Sequence, residues 1–211
     1  MFCSLIIFVK NPVEGQVKTR VAASVGHTKA VEVYVELLKH TRNVVSEILN
    51  RADSRRFRVS IYYGDYVNTA DLWDELNVQK YLQTGNDLGE RMKNAFANEL
   101  AAGAASVVIV GSDCLELKPA HLETAFGALA NADVVIGPAL DGGYYLLGMN
   151  ELQPFLFENK PWSQSNLLEV TETELTKKNV NYQLLEPLSD IDTWDDYLLA
   201  TKRNAEYVFI S

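Results

Sequence analysis

Two cysteines, three histidines and a deficit of positive charge set the first limits on this chain of 211 residues. Cys3 and Cys114 stand far apart and in no metal-ligand spacing, which fits a reduced, cytoplasmic setting better than a disulfide framework. His27, His40 and His121 fall in helical or helix-edge contexts without ligand spacing, which argues against a histidine metal centre. No run of 18 apolar residues occurs, so no membrane span is expected. The apolar stretch 5–9 is too short for a signal segment and has no basic residues before it. With 19 Lys and Arg against 28 Asp and Glu, the net charge of -9 disfavours a nucleic-acid or anionic-membrane surface, while small phosphorylated ligands remain compatible with a local basic pocket. There is no internal repeat, no low-complexity segment, no Walker A loop and no G-x-S-x-G elbow, and Cys114 has no evident base, so covalent nucleophilic catalysis is not expected.

What is present is a globular composition, 47% hydrophobic and 22% charged, in a length that fits one domain over residues 1–211. Apolar runs at residues 3–10, 57–63, 78–83, 107–110, 134–139, 144–148 and 180–186 read as strands. Between them lie helical patterns at 27–50, 88–102, 119–131 and 166–178, and a terminal helix with Asp195 and Asp196 in its first turn and Lys202 and Arg203 near its end. Residues 27–50 carry Val31, Tyr34, Leu38, Thr41, Val45 and Ile48 at three- and four-residue steps; a polar break follows at 51–56 and a short helical turn at 71–76. Alternating strand and helix predict an α/β fold around a parallel sheet.

The chain is organised around Val107, Val108, Ile109 and Val110, four β-branched residues in a row that fit a strand buried on both faces. Ser112 and Asp113 follow directly, which places a carboxylate at the carboxyl edge of a central strand, where open α/β sheets bind ligands. Asp113 serves equally as a turn residue or as half of a Mg2+ site, since that ion takes one or two protein carboxylates beside water and phosphate. Asp190 and Asp192 supply the candidate second ligand, because helix capping does not require both.

Lys10, Lys18 and Arg20, around the loop that closes the first strand, are candidate phosphate ligands, with a solvated basic turn as the simpler reading. Asp87, three residues before Glu90, makes a capping-box-like helix start; with Arg91 it also offers contacts to a phosphate or ribose. Asp141, Gly142 and Gly143 read as a hairpin turn or as a close approach to a second substrate. Trp162 reads as packing or as a stacking surface, and Ser163 as part of a helix cap.

Five motifs in order carry a resemblance. They are Lys10-Asn11-Pro12 with Gly15 to Arg20, Asp87-Leu88-Gly89-Glu90-Arg91-Met92, Gly111-Ser112-Asp113-Cys114, Asp141 to Gly148, and Asp190 to Asp196. With them the chain resembles the GT-A-like nucleotide-diphospho-sugar transferase superfamily over nearly its full length, and within it the bacterial transferase 1, radical-SAM/selenodomain-associated family. The resemblance implies a three-layer sandwich with a mainly parallel central sheet and one reversed strand. The nucleotide would lie over the N-terminal half and the acceptor over the C-terminal half. It further implies Mg2+ or Mn2+ held by Asp113 and Asp192, with Lys10, Lys18 and Arg20 neutralising the leaving group. Two departures stand out: Leu115 occupies a position that is usually Pro, and the Lys-Thr-Arg loop replaces the Gly-rich loop of typical nucleotidyltransferases. The expected activity is glycosyl transfer from a nucleotide-sugar to a small acceptor. The alternatives are nucleotidyl transfer from a triphosphate with release of pyrophosphate, and nucleotide binding without catalysis.

Overall fold

The computed structural model describes residues 1–51 and 56–208, with side chains as far as Lys202. Residues 52–55 of the expected polar break, and the Arg203 side chain, lie outside the described residues. The elements in chain order are β1 (Phe2–Val9), α1 (Thr19–Val25), α2 (His27–Arg51), β2 (Phe57–Tyr63), β3 (Gln79–Leu82), α3 (Leu88–Ala101), β4 (Ala104–Val110), α4 (Pro119–Ala128), β5 (Val134–Pro138), β6 (Tyr144–Met149), α5 (Leu167–Lys177), β7 (Tyr182–Leu184) and α6 (Trp194–Val208).

The strands form one seven-stranded sheet in the order β3-β2-β1-β4-β6-β5-β7. All its pairings are parallel except those of β6, which runs antiparallel to both β4 and β5. β4 is thus the middle strand, and Val107, Val108, Ile109 and Val110 are buried on both faces as their β-branched run predicts. Leu5, Ile7, Val108 and Val110 point into a core shared with α1, α2, α4 and α6. Ile6, Val107, Ile109 and Leu147 point into a second core that includes Met92 and Phe96 of α3 and Leu175 of α5. The result is three layers, because each strand presents alternate side chains to opposite faces and both faces need cover.

The helical stripe of α2 forms as expected, with Tyr34, Leu38, Thr41, Val45 and Ile48 buried and Val31 only half-buried. Three local expectations are corrected. The loop after β1 contains a helix, α1, whose seven residues are too few to display a period and which Gly26 separates from α2. Ser163 does not cap α5: the N-cap is Asn166, without a side-chain cap bond, and Ser163 holds a left-handed φ of 61°. Finally, α6 continues to Val208, so Lys202 and Arg203 lie inside it and no basic residue stands in its last turn. No helix among the described residues is long and apolar enough to cross a membrane.

Where β6 lies between its neighbours, backbone and side chains leave no room for a methyl group. A Cβ on Gly148 would sit 2.6 Å from Val135 Cγ1 and 3.0 Å from Val108 Cγ2. Gly148→Ala therefore costs about 1–3 kcal/mol by overpacking. Gly127→Ala, in α4 with nothing within 4 Å of the added carbon, is neutral or gains up to about 1 kcal/mol from helix propensity. Urea unfolding of the two variants beside the parent checks both signs.

Candidate functional site

The order of connections reverses at β1, which has β2 on one side and β4 on the other, and a cleft of about 870 Å³ opens at the carboxyl ends of these strands. Four of the segments that reach it bring most of its charged groups. Lys10 extends from β1, and residues 16–20 follow in the loop and first turn of α1. Gly111, Ser112 and Asp113 leave β4. The third segment depends on the reversed strand: β6 begins where β4 ends, so Asp141, Gly143 and Tyr144 arrive at the same edge. The fourth follows β7, where the chain stays beside the end of β5 through Leu188 N–H to Pro138 O at 3.0 Å and then crosses below the cleft with Asp190 and Asp192.

That crossing is fixed by backbone and apolar packing. Ile191 is fully buried and donates its N–H to the Asp113 carbonyl at 2.9 Å. Lys18 clamps the same two segments from above. Its ammonium lies 2.9 Å from Asp113 Oδ1 and donates to the Ile191 carbonyl at 2.6 Å. The Lys18 side chain is only 7% exposed, although Asp113 is 45% exposed. Its backbone is left-handed, φ 47° and ψ 46°, a conformation that costs a non-glycine residue about 1–2 kcal/mol and that starts α1.

Arg20 pairs with Asp192 at 3.1 Å, with both side chains well exposed, so this pair adds little to stability. Lys10 is exposed, and its ammonium makes no ion pair among the described residues. Its backbone is pinned instead, N–H to Tyr34 Oη at 2.8 Å, and the same hydroxyl lies 3.2 Å from Ser112 Oγ. Tyr34 therefore ties the end of β1 to the end of β4. Burial, with Asp113 nearby, pushes its phenol up to about 12, so it stays neutral and hydrogen-bonding.

Asp87 and Arg91 line the other wall. Asp87 caps α3, accepting Glu90 N–H at 2.8 Å, while Glu90 turns back to Asn86 N–H at 2.8 Å, so the capping reading of this motif holds. Arg91 Nε donates to the Gly85 carbonyl at 3.2 Å. On the opposite side Asp141 Oδ1 accepts the Gly143 N–H at 2.9 Å. Gly142, at φ 91°, lies so close to Ser165 that a Cβ would fall 1.9 Å from its carbonyl oxygen. Trp162 packs edge-on to Tyr144 at 6.4 Å and covers Gly89, the second residue of α3. The loop bearing Trp162 is anchored by Lys160, a buried ammonium bonded to Glu174 and to the carbonyl of Phe155. Tyr34 is not identifiable as a support from sequence, since it acts through partners distant along the chain, and Lys160 only becomes one when the fold buries its ammonium.

The carboxylates are not equivalent. Asp190 is half-buried, and its carboxyl is raised to about 7 by burial, then by the charges of Asp113 and Asp141. Asp192 pairs with Arg20 and, like Asp190, lines the cleft. Both candidates for a second metal ligand thus line the cleft with Asp113, Asp192 in an ion pair with Arg20 and Asp190 under the charges of the other three acids. Hard oxygen donors carrying excess negative charge fit Mg2+ or Mn2+. No group of three or more His, Cys, Asp or Glu side chains suited to a metal forms among the described residues, so water or substrate oxygens would complete the coordination. Cys114, beside this cluster, is raised to about 12 by burial and is no nucleophile at neutral pH.

This sheet, with its single reversed strand and its cleft at the β1/β4 edge, is the fold of the nucleotide-diphospho-sugar transferases. A protein from Desulfovibrio desulfuricans G20, described provisionally as such a transferase, is 30% identical, with a TM-score of 0.79 over 92% of this chain and 84% of the other. A 4-diphosphocytidyl-2C-methyl-D-erythritol synthase from Anaerococcus prevotii DSM 20548 shares the fold at 11% identity, with a TM-score of 0.62 over 97% and 98% of the two chains. A Mycobacterium tuberculosis H37Rv protein solved in complex with manganese does so at 13%, with a TM-score of 0.54 over 95% and 98%. The family described as "Uncharacterized protein conserved in bacteria (DUF2064)" matches residues 48–164, and the chain belongs to it. No curated protein sequence matches.

Ionised Asp190 destabilises the metal-free fold. With its folded value raised, the stability present at low pH is lost as pH rises through about 7. In EDTA, Asp190→Asn should therefore unfold at higher urea than the parent at pH 8, by on the order of 2–4 kcal/mol. The gap should close towards pH 4; equal stabilities at pH 8 would contradict the electrostatic account.

Proposed function

We propose that residues 1–211 act as one transferase domain that uses a nucleotide-diphospho-sugar, with Mg2+ or Mn2+, to pass a glycosyl group to a small acceptor. The observation that carries this reading is the cleft itself, in which the cations Lys10, Lys18, Arg20 and Arg91 and the acids Asp113, Asp141, Asp190 and Asp192 line one opening at the switch point of the sheet. The likeness to the Desulfovibrio protein supports the donor class.

The metal would be held by Asp113 with Asp190 or Asp192, and when bound it would screen the diphosphate and favour its departure. Lys10, Lys18 and Arg20 bind the diphosphate oxygens as charge-assisted donors and stabilise the charge that develops as the bond to the sugar breaks. Arg91 holds the nucleotide from the α3 wall, beside Asp87. The acceptor lies over Asp141, Gly142 and Gly143, with Trp162 as the apolar face that a sugar ring requires. Its hydroxyl oxygen bonds to the anomeric carbon, the carbon–oxygen bond to the nucleoside diphosphate breaks, and the hydroxyl proton passes to the Asp141 carboxylate.

A second reading, nucleotidyl transfer, is favoured by one feature. The acids beside the cleft come from separate segments, Asp113 after β4 and Asp190 and Asp192 after β7, and not from a paired motif on one loop. The products separate the two reactions: nucleoside diphosphate for glycosyl transfer, pyrophosphate for nucleotidyl transfer. Chromatography of reactions supplied with nucleotide-sugars or with triphosphates and sugar phosphates decides between them.

Under either chemistry Asp113→Ala should lower kcat/KM by at least about 100-fold while circular dichroism stays that of the parent. Normal turnover would remove Asp113 from the site. Lys10→Ala, which removes a cation without breaking an ion pair, should weaken donor binding about tenfold in calorimetry, with the melting temperature unchanged. Unaltered affinity would place the phosphates elsewhere.

A further inference from the structure

Of the three cations in the first motif only Lys18 is both buried and bound to the opposite side of the cleft. Its ammonium has two oxygen ligands from different segments, Asp113 Oδ1 at 2.9 Å and the Ile191 carbonyl at 2.6 Å. Asp141, Asp190 and Asp192 line the same cleft, and Lys18 opposes the charges of Asp113, Asp141 and Asp192 at Asp190. An ammonium held by a carboxylate and a carbonyl oxygen uses the kinds of ligand that a hard divalent ion takes.

We propose that Lys18 is the resident cation of the metal-free cleft and that a divalent ion and Lys18 exchange at Asp113. This rests on the transferase reading above and adds the order of events at the same site. A doubly charged ion on the Asp113 carboxylate would face the Lys18 ammonium at close range with little solvent between them, and like charges in such a place repel strongly. The flexible lysine stem gives way. Lys18 then swings from Asp113 into the opening that Lys10 and Arg20 also line, where donor phosphates bring the negative charge it has lost. The exchange keeps the acids neutralised in both states. It also makes the full set of phosphate ligands available only after the metal has arrived.

The test uses free metal without nucleotide, so that it does not depend on turnover. In Mn2+ titrations followed by electron paramagnetic resonance, Lys18→Met should bind Mn2+ about tenfold more tightly than the parent, because the competing cation is gone, and Asp113→Asn should bind it at least tenfold more weakly. In the parent protein, saturating Mg2+ should speed acetylation of Lys18 severalfold relative to EDTA, read by peptide mass spectrometry. Lys80 and Lys160, held in ion pairs away from the cleft, should keep their rates. Equal or weaker Mn2+ binding by folded Lys18→Met, or a Lys18 acetylation rate indifferent to Mg2+, overturns the exchange while leaving the transferase reading to stand on its own products. Should Lys18→Met not fold, the acetylation measurement on the parent decides alone. Absence of Mn2+ binding by parent and variant alike overturns the exchange and the metal-dependent reading together.

Discussion

The hydrogen bond from Ile191 N–H to the carbonyl of Asp113, 2.9 Å long and closed over by a fully buried isoleucine, is the constraint on which the cleft depends. It fastens the segment after the last strand to the segment after the middle one. It sets the segment that carries Asp190 and Asp192 against the end of β4. Such a bond is strong because it is dry, and it is dry because Ile191 fills the space beneath the loop. Lys18 closes the same junction from the solvent side, so one polar contact below and one ionic contact above hold the acids where they repel each other.

Holding them there costs stability. Four carboxylates meet at one sheet edge because the sheet reverses one strand: β6 turns the chain back and sets Asp141 beside the end of β4. A parallel strand in that place would have carried the turn to the far edge. The electrostatic load falls on Asp190, and the Lys18 ammonium answers only part of it. A protein selected for stability alone would have kept fewer acids here. Their collection in a cleft is the pattern of a site whose charge is completed by a ligand.

Much of this was legible in the sequence, and the parts that were not share a cause. Val107 to Val110 could only be a buried strand, and Asp87 with Glu90 announced a helix start, because both signals are local. The motif from Asp190 to Asp196 indicated acids near the site, and both Asp190 and Asp192 line it, but not their partners, since Arg20 reaches Asp192 from 172 positions away in the chain. α1 escaped notice because seven residues hold fewer than two turns' worth of pattern. Ser163 invited a cap reading that its left-handed backbone does not allow. The supports are the least visible of all: Tyr34 on α2 and Lys160 beneath the Trp162 loop are ordinary residues until the fold sets them against β1, β4 and α5.

The contact between Gly89 and Trp162 has a mechanical meaning. The indole lies where a Cβ on Gly89 would be, 2.8 Å from its ring nitrogen and 3.0 Å from a ring carbon, and the Phe157 carbonyl is closer still at 2.3 Å. The first turn of α3, which carries Asp87 and Arg91, and the loop that carries Trp162 are therefore in van der Waals register with no slack between them. Any side chain at position 89 would have to push α3 and the indole apart. The spacing of the two walls of the cleft at this point is therefore set by the missing side chain of one glycine.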